Sequence, residues 1–421
     1  MGYLSAKEAA KLIKSNDRIY LHAVACTPNH IIDAIVERAP ELRNVEFCHI
    51  HTLGGAPYAD PIYKESFKVN SFFIGGNVRH TIKNGNGSYT PVFLSELPML
   101  FRSGLVPLDV VLIQVSPPDE HGYCSLGTSV EATPAAISAA KLVIAQVNSY
   151  MPRTFGDASI HISKIDAMVE HNTPLLTQYS SEINDAEDRI GDIIANMIED
   201  GSTLQMGIGS IPEAVLRKLN NHKYLGLHTE MCADGVIDLI ESGAIDCSRQ
   251  VTTNRKAMST FFVGTERIYN YLNNNPFFEV RECSHTNNPT VICQNPSVVA
   301  INSAIEIDVT GQICADSIGS RMYSGVGGQV DFMRGAAMSK GGKAIIAMSS
   351  TTAKGANKIV PFLKNGAGVV TSRAHAQYIV TEYGVADLRG KSIDQRVKAL
   401  SEIAHPSFRE EIIRDYYNTT R

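Results

Sequence analysis

The chain has 421 residues, of which 44% are hydrophobic and 19% charged, enough apolar material for two domains with cores of their own and too ordinary a composition for disorder. Thirty-eight Lys and Arg face 43 Asp and Glu, a net charge of −5, which excludes nucleic acid as the main partner because phosphate neutralisation needs a basic surface. No apolar run approaches the ~18 residues of a membrane span, and the start of the chain lacks a charged-then-apolar leader pattern, so the expectation is a soluble cytoplasmic protein without a membrane partner.

In chain order, residues 6–15 read as an amphipathic helix and 17–24 as a strand ending at Cys26-Thr27-Pro28-Asn29. A helix follows, with Ile31, Ile32, Ala34, Ile35 and Val36 on its buried face. Further apolar strands are expected at 44–50, 71–74, 109–115 and 142–147, then at 202–206, 224–227, 298–302, 343–348 and 368–370. Such runs alternating with helical patterns predict an α/β fold with mostly parallel sheets covered on both faces. The polar, turn-rich stretch Ser180-Ser181-Glu182-Ile183-Asn184-Asp185, followed by a helix over 188–199, marks a domain boundary and divides the chain into 1–185 and 186–421. The eight Cys show no C-x-x-C spacing, as expected for free thiols in a reducing compartment.

The two halves begin alike. Aligning Pro28 with Pro212 gives a shift of 184 residues, and the following strands, 45–51 and 224–230, match at a shift of 179. Helix, strand, Pro-containing turn, helix and strand recur in that order, which reads as an internal duplication, although α/β units in general share this pattern.

Several glycine clusters fall at strand ends. Gly207-Ile208-Gly209-Ser210-Ile211-Pro212 follows a strand and opens a helix, where main-chain amides can approach a phosphate or an oxyanion and the helix N-terminus favours negative charge. Glu230 lies 21 residues beyond Gly209, as the acidic residue of a dinucleotide fingerprint does, but Pro212 replaces the third glycine of that pattern. A plain tight turn accounts for the same residues. His228-Thr229-Glu230-Met231-Cys232-Ala233-Asp234-Gly235 sets a carboxylate at the end of a strand, where open α/β sheets place ligands, and partial burial would raise its pKa. The alternative there is an ordinary cap. Further candidates are the glycines of Ser324-Gly325-Val326-Gly327-Gly328-Gln329, the turn Phe72-Phe73-Ile74-Gly75-Gly76-Asn77-Val78-Arg79, and the Ser116-Pro117-Pro118-Asp119-Glu120-His121-Gly122 loop. His49-x-His51 could be two metal ligands, but no third stands at a recognisable spacing, so no metal site is expected.

Taken together, the run 204–235, the glycine clusters at 325–332 and 74–79 and the Ser-Pro-Pro-Asp-Glu-His-Gly segment resemble the acetyl-CoA hydrolase/transferase family, over essentially the whole chain and nearest its 4-hydroxybutyrate (butyryl) CoA-transferase branch. The resemblance implies two similar open α/β domains, a homodimer or dimer-based assembly, and Glu230 as the catalytic glutamate. It implies that Gly207, Ile208, Gly209, Ser210 and Ile211, with Gly325, Gly327 and Gly328, surround CoA and the thioester. It further implies that Gln205 donates to a carbonyl or carboxylate and that His22 faces substrate. Gly328, Gln205, Gly207 and Gly209 are the expected oxyanion donors. Cys232-Ala233 departs from the branch, where a bulkier aromatic and Ser are common. Arg79, Arg321, Arg334 and Lys358 could contact phosphates or be solvated surface charges. The implied activity moves CoA between a short-chain acyl-CoA and acetate through a glutamyl-CoA thioester, with no cofactor because CoA is a substrate. An acyl-CoA hydrolase is the alternative, and an NAD-dependent oxidoreductase a distant one.

Overall fold

The computed structural model describes residues 2–179 and 182–420. They divide into two compact units, Met1–Tyr179 with Met258–Thr286, and Ser180–Ala257 with Asn287–Arg421. Two contiguous halves meeting at 185 are therefore not what is observed. Residues 258–286 belong to the first unit because its main chain holds them: Thr260 O accepts from Val130 N at 2.9 Å, Phe262 N donates to Thr128 O at 2.8 Å and Val280 N to Phe155 O at 2.8 Å. The Arg102 guanidinium adds two bonds to the Glu282 carboxylate. Ser180 and Ser181, within the expected boundary, lie outside the described residues.

The first unit is built on seven strands: β1 (Arg18–Leu21), β2 (Val45–His49), β3 (Phe67–Ser71), β4 (Gly87–Tyr89), β5 (Val110–Val115), β6 (Leu142–Val147) and β7 (Ala167–Glu170). Their order is β4-β3-β2-β1-β5-β6-β7, and every pair is parallel. All six residues of β5 are buried, as a strand covered on both faces requires. Helix α1 (Ala6–Ala10) is shorter than the sequence pattern suggests; Ser5 and Glu8 close a capping box at its start. Helix α2 (Asn29–Val36) buries Ile31, Ile32, Ala34, Ile35 and Val36 as expected.

The second unit carries β8 (Thr203–Met206), β9 (Gly226–Leu227), β10 (Val298–Asn302), β11 (Lys343–Ala347), β12 (Tyr378–Thr381) and β13 (Gly384–Asp387), in the order β9-β8-β10-β11-β12-β13. Only β13 runs antiparallel. Helix α3 (Asp185–Ala195) starts earlier than its apolar pattern because Asn184 caps it, in a box with Glu187. Helix α4 (Ser210–Arg217) follows β8, and α5 (Gln329–Met338) precedes β11. Val298, Ala300, Phe332, Met333, Ala336, Ala344, Ile346 and Ile379 form much of this unit's core.

The duplication is visible in the sheets. The five strands β2-β1-β5-β6-β7 and the five strands β9-β8-β10-β11-β12 have the same order and direction. Register agrees with the sequence shifts: Ile19 pairs with Phe47 where Thr203 pairs with Gly226, so 203 − 19 = 184 and 226 − 47 = 179. In each sheet the chain reverses its direction of travel beside the first strand, opening a crevice at the carboxyl ends of β1 and β5 and of β8 and β10. Two expected strands are corrected. Of 71–74, Ser71 ends β3 and residues 72–74 are the turn leaving it, with Phe72 and Ile74 buried, and 368–370 is a loop whose Val370 N donates to Ile313 O.

Candidate active site

The second unit's crevice is lined from β8 and β10. Gln205 is buried on β8, and its Oε1 accepts from Asn302 Nδ2 at 3.0 Å. That bond fixes the amide with its Nε2 donor left for another group. Gly209, at φ +122°, caps α4 in a conformation that a side chain would strain, and a Cβ at Gly207 or Gly209 would meet nothing within 4 Å. The main chain of this loop is thus open to a ligand. Ser210 differs: its hydroxyl is committed to Glu187 Oε1 at 2.5 Å, which leaves its main chain as the part that can bind CoA. Gly207, Ile208, Thr229, Met231 and Ala233, with Glu213, line a small cleft beside the loop.

Glu230 stands three residues beyond the end of β9, which is only two residues long. Its Oε2 accepts from Asn287 Nδ2 at 2.7 Å, and it takes a second hydrogen bond from the main chain of Gly328. Gly328 is the N-cap of α5, so the carboxylate sits against the positive end of a ten-residue helix. A Cβ on Gly328 would lie 1.9 Å from Glu230 Oε2 and 2.1 Å from Asn287 Nδ2. Glycine is required there by close approach. Gly327, at φ +55°, makes the turn that delivers it, and Gly325 is buried just before.

The environment of Glu230 raises its pKa from 4.5 to about 7. Burial is the largest cause, and the charge of Asp331, buried in the first turn of α5, adds to it; the bonds from Asn287 and Gly328 pull the other way. The result is a carboxylate stripped of much of its water yet held by two donors, which is how a weak oxygen nucleophile is made reactive near neutral pH.

The structure thus brings Glu230 and Gly328 together, and Gln205 with the glycine loop at the end of β8. His22 belongs to the first unit. It is buried, with Nε2 2.8 Å from Ser129 O and Nδ1 accepting from Gln114 N at 3.3 Å, so main chain occupies both ring nitrogens. This geometry gives it a structural part, tying β5 to the segment at 129. Arg321 and Arg334 are exposed, and burial lowers the Lys358 pKa to about 8 despite Glu382 and Glu187 nearby. His121 is exposed in a turn that Asp119 organises by accepting from His121 N and Tyr123 N. Asn287, Asn302 and the electrostatic part of Asp331 were not anticipated. A signal existed for Asn287: in Asn287-Asn288-Pro289 one Asn suffices to cap the next helix, and Asn288 does so, leaving its neighbour for another task.

Residues 2–177 and 264–416 match the N-terminal and C-terminal domains described as acetyl-CoA hydrolase/transferase. A Fasciola hepatica protein named succinyl-CoA:acetate/propanoyl-CoA:succinate CoA transferase is 49% identical over 96% of this chain and 85% of its own. A Clostridium kluyveri protein named 4-hydroxybutyrate coenzyme A transferase is 45% identical over 98% of this chain and 96% of its own. The crystal structure of a 4-hydroxybutyrate CoA-transferase from Porphyromonas gingivalis superimposes with a TM-score of 0.84 at 37% identity, covering 99% of this chain and 97% of that one.

Proposed function

The chain belongs to the acetyl-CoA hydrolase/transferase family, and we propose that it moves CoA between a short-chain acyl-CoA, 4-hydroxybutyryl- or butyryl-CoA, and acetate. The observation that carries this reading is the Glu230 carboxylate, half-buried, held by Asn287 on Oε2 and by the Gly328 main chain, and raised to a pKa of about 7.

Glu230 attacks the thioester carbonyl. The C–S bond breaks, giving an acyl-glutamyl anhydride and CoA thiolate. The thiolate then attacks the glutamyl carbonyl; the anhydride C–O bond breaks, the acyl group leaves as its carboxylate, and Glu230 becomes a glutamyl-CoA thioester. Acetate enters by the same two steps in reverse and leaves as acetyl-CoA. No oxidation state changes, and each step is a nucleophilic displacement at carbon. Each passes through a tetrahedral oxyanion, for which the Gly328 amide, the Gln205 amide and the Gly207 and Gly209 amides are the donors at hand, each worth roughly 3–4 kcal/mol in comparable sites.

A hydrolase shares the first step and admits water at the second. Incubation of butyryl-CoA with the enzyme, with and without acetate, separates the two. Acetyl-CoA formation that requires acetate supports the transferase; equal CoA release in both conditions overturns it.

A further inference from the structure

Just before Glu230, a side chain makes the rung of the sheet that main chain would otherwise make. Thr203 pairs with Gly226 and Leu204 with Leu227, and His228 N then donates to Leu204 O at 3.0 Å. Carried one rung further, this register sets Thr229 opposite Met206, whose N–H and C=O would bond the main chain of residues 228 and 230. The Thr229 hydroxyl takes both places. It accepts from Met206 N at 3.3 Å and donates toward Met206 O at 2.9 Å, with Met231 O at 2.8 Å as a second acceptor for the same proton. Thr229 is buried, and the chain bends at Glu230 directly after it. One hydroxyl therefore joins the residue that precedes the Gly207–Gly209 loop to the residue that follows the glutamate.

We propose that Thr229 is a positioning residue for the transfer reaction, holding the Glu230 carboxylate in register with the oxyanion donors of the Gly207–Gly209 loop. This rests on Glu230 being the nucleophile. A main-chain rung would carry residues 228–230 on as extended strand; the side-chain rung keeps the last tie to β8 while the chain turns toward Asn287 and Gly328, which hold the carboxylate. The spacing it sets matters most when the tetrahedral oxyanion forms between nucleophile and donors, so its loss falls on kcat rather than on KM. The entry to the bend is anchored independently. Besides the bond from its main chain to Leu204, His228 accepts at Nδ1 from Asn295 Nδ2 at 2.9 Å, and Asn295 Oδ1 in turn accepts from Val251 N at 3.1 Å.

The test compares Thr229→Val, which keeps the shape and removes the hydroxyl, with Thr229→Ser, which keeps the hydroxyl and removes a methyl. Acetate-dependent exchange of butyryl-CoA gives kcat and KM, and circular dichroism checks the fold. T229V is expected to lose on the order of 10²-fold in kcat, with KM for butyryl-CoA within about threefold of native. T229S is expected to restore kcat to within about threefold of native. A folded T229V at the native kcat overturns the proposal. So does a T229S as slow as T229V, or a loss confined to KM. If T229V does not fold, Thr229→Cys, which keeps a weak donor, takes its place: a kcat between those of T229S and E230Q supports the proposal, and a native kcat overturns it. None of these outcomes alters acetate-dependent exchange by the native enzyme, so failure here is distinguishable from failure of the transferase reading.

Discussion

Gly328→Ala isolates the close approach on which the site depends. The backbone at this position, φ −96° and ψ 8°, is open to alanine, so the helix start is not strained by the change. The added methyl would lie 1.9 Å from Glu230 Oε2, 2.1 Å from Asn287 Nδ2 and 3.1 Å from Glu230 Cδ, where Cβ atoms do not come within 3.0 Å. The carboxylate must therefore retreat by about 1 Å, and a misplacement of that size costs on the order of 10²-fold in rate. Retreat also strains the 2.7 Å bond from Asn287 and the main-chain bond from Gly328, and losing one such donor at the oxyanion costs roughly 10²–10³-fold. The two losses share one displacement and do not multiply, so kcat should fall by about 10²–10³-fold. Acetate-dependent acyl exchange measures kcat, and circular dichroism with thermal melting checks that the fold is retained. A folded variant within about threefold of the native rate would refute the placement of Glu230 against Gly328.

The ionised carboxylate is the nucleophile, so kcat/KM should rise with pH through about 7 and level off above it; a flat profile from pH 5.5 to 8.5 would contradict this. The same raised pKa has a stability consequence. The native state holds a proton that the unfolded chain releases between pH 4.5 and about 7, so stability falls as pH rises through that window. Glu230→Gln should then stabilise the protein at pH 8 by up to about 3 kcal/mol and by much less at pH 5, read from denaturant midpoints at the two pH values; a gain that does not depend on pH would be inconsistent. Asn287→Ala removes a bond that favours the carboxylate, so the ascending limb should move to higher pH, with a loss of about 10–100-fold in kcat from a charged hydrogen bond worth roughly 1.5–3 kcal/mol. Gln205→Ala should lower kcat/KM for acetate by about 10²-fold, and a near-native value would remove Gln205 from the donors.

Much of the fold could be read from the chain because parallel strands buried on both faces leave continuous apolar runs. The 109–115, 142–147, 202–206, 298–302 and 343–348 expectations each meet a strand within a residue or two. The aligned prolines, 28 and 212, carried the duplication, since a turn and helix start leave a sequence mark that the sheet register then repeats. Edge and amphipathic strands such as β4, β7 and β13 left no such run. Nor did the allegiance of residues 258–286 to the first unit, which rests on main-chain bonds to residues more than a hundred positions away. Glu230 and the glycine clusters were visible as residue types at strand ends. What the glycine of 328 is for was not, because the 1.9 Å approach joins two segments 98 positions apart (328 − 230). Asn287 was hidden for the same reason: its partner is 57 positions away.

The central claim is that Glu230 becomes covalently linked to CoA, and trapping that species tests it most directly. The enzyme is mixed with butyryl-CoA in the absence of an acceptor acid, quenched in acid, digested, and analysed by mass spectrometry. The account predicts a CoA adduct on the peptide containing Glu230, lost on addition of acetate and absent from the Glu230→Gln variant. Rapid acetate-dependent exchange with no adduct on that peptide, or with an adduct on another residue, would contradict it.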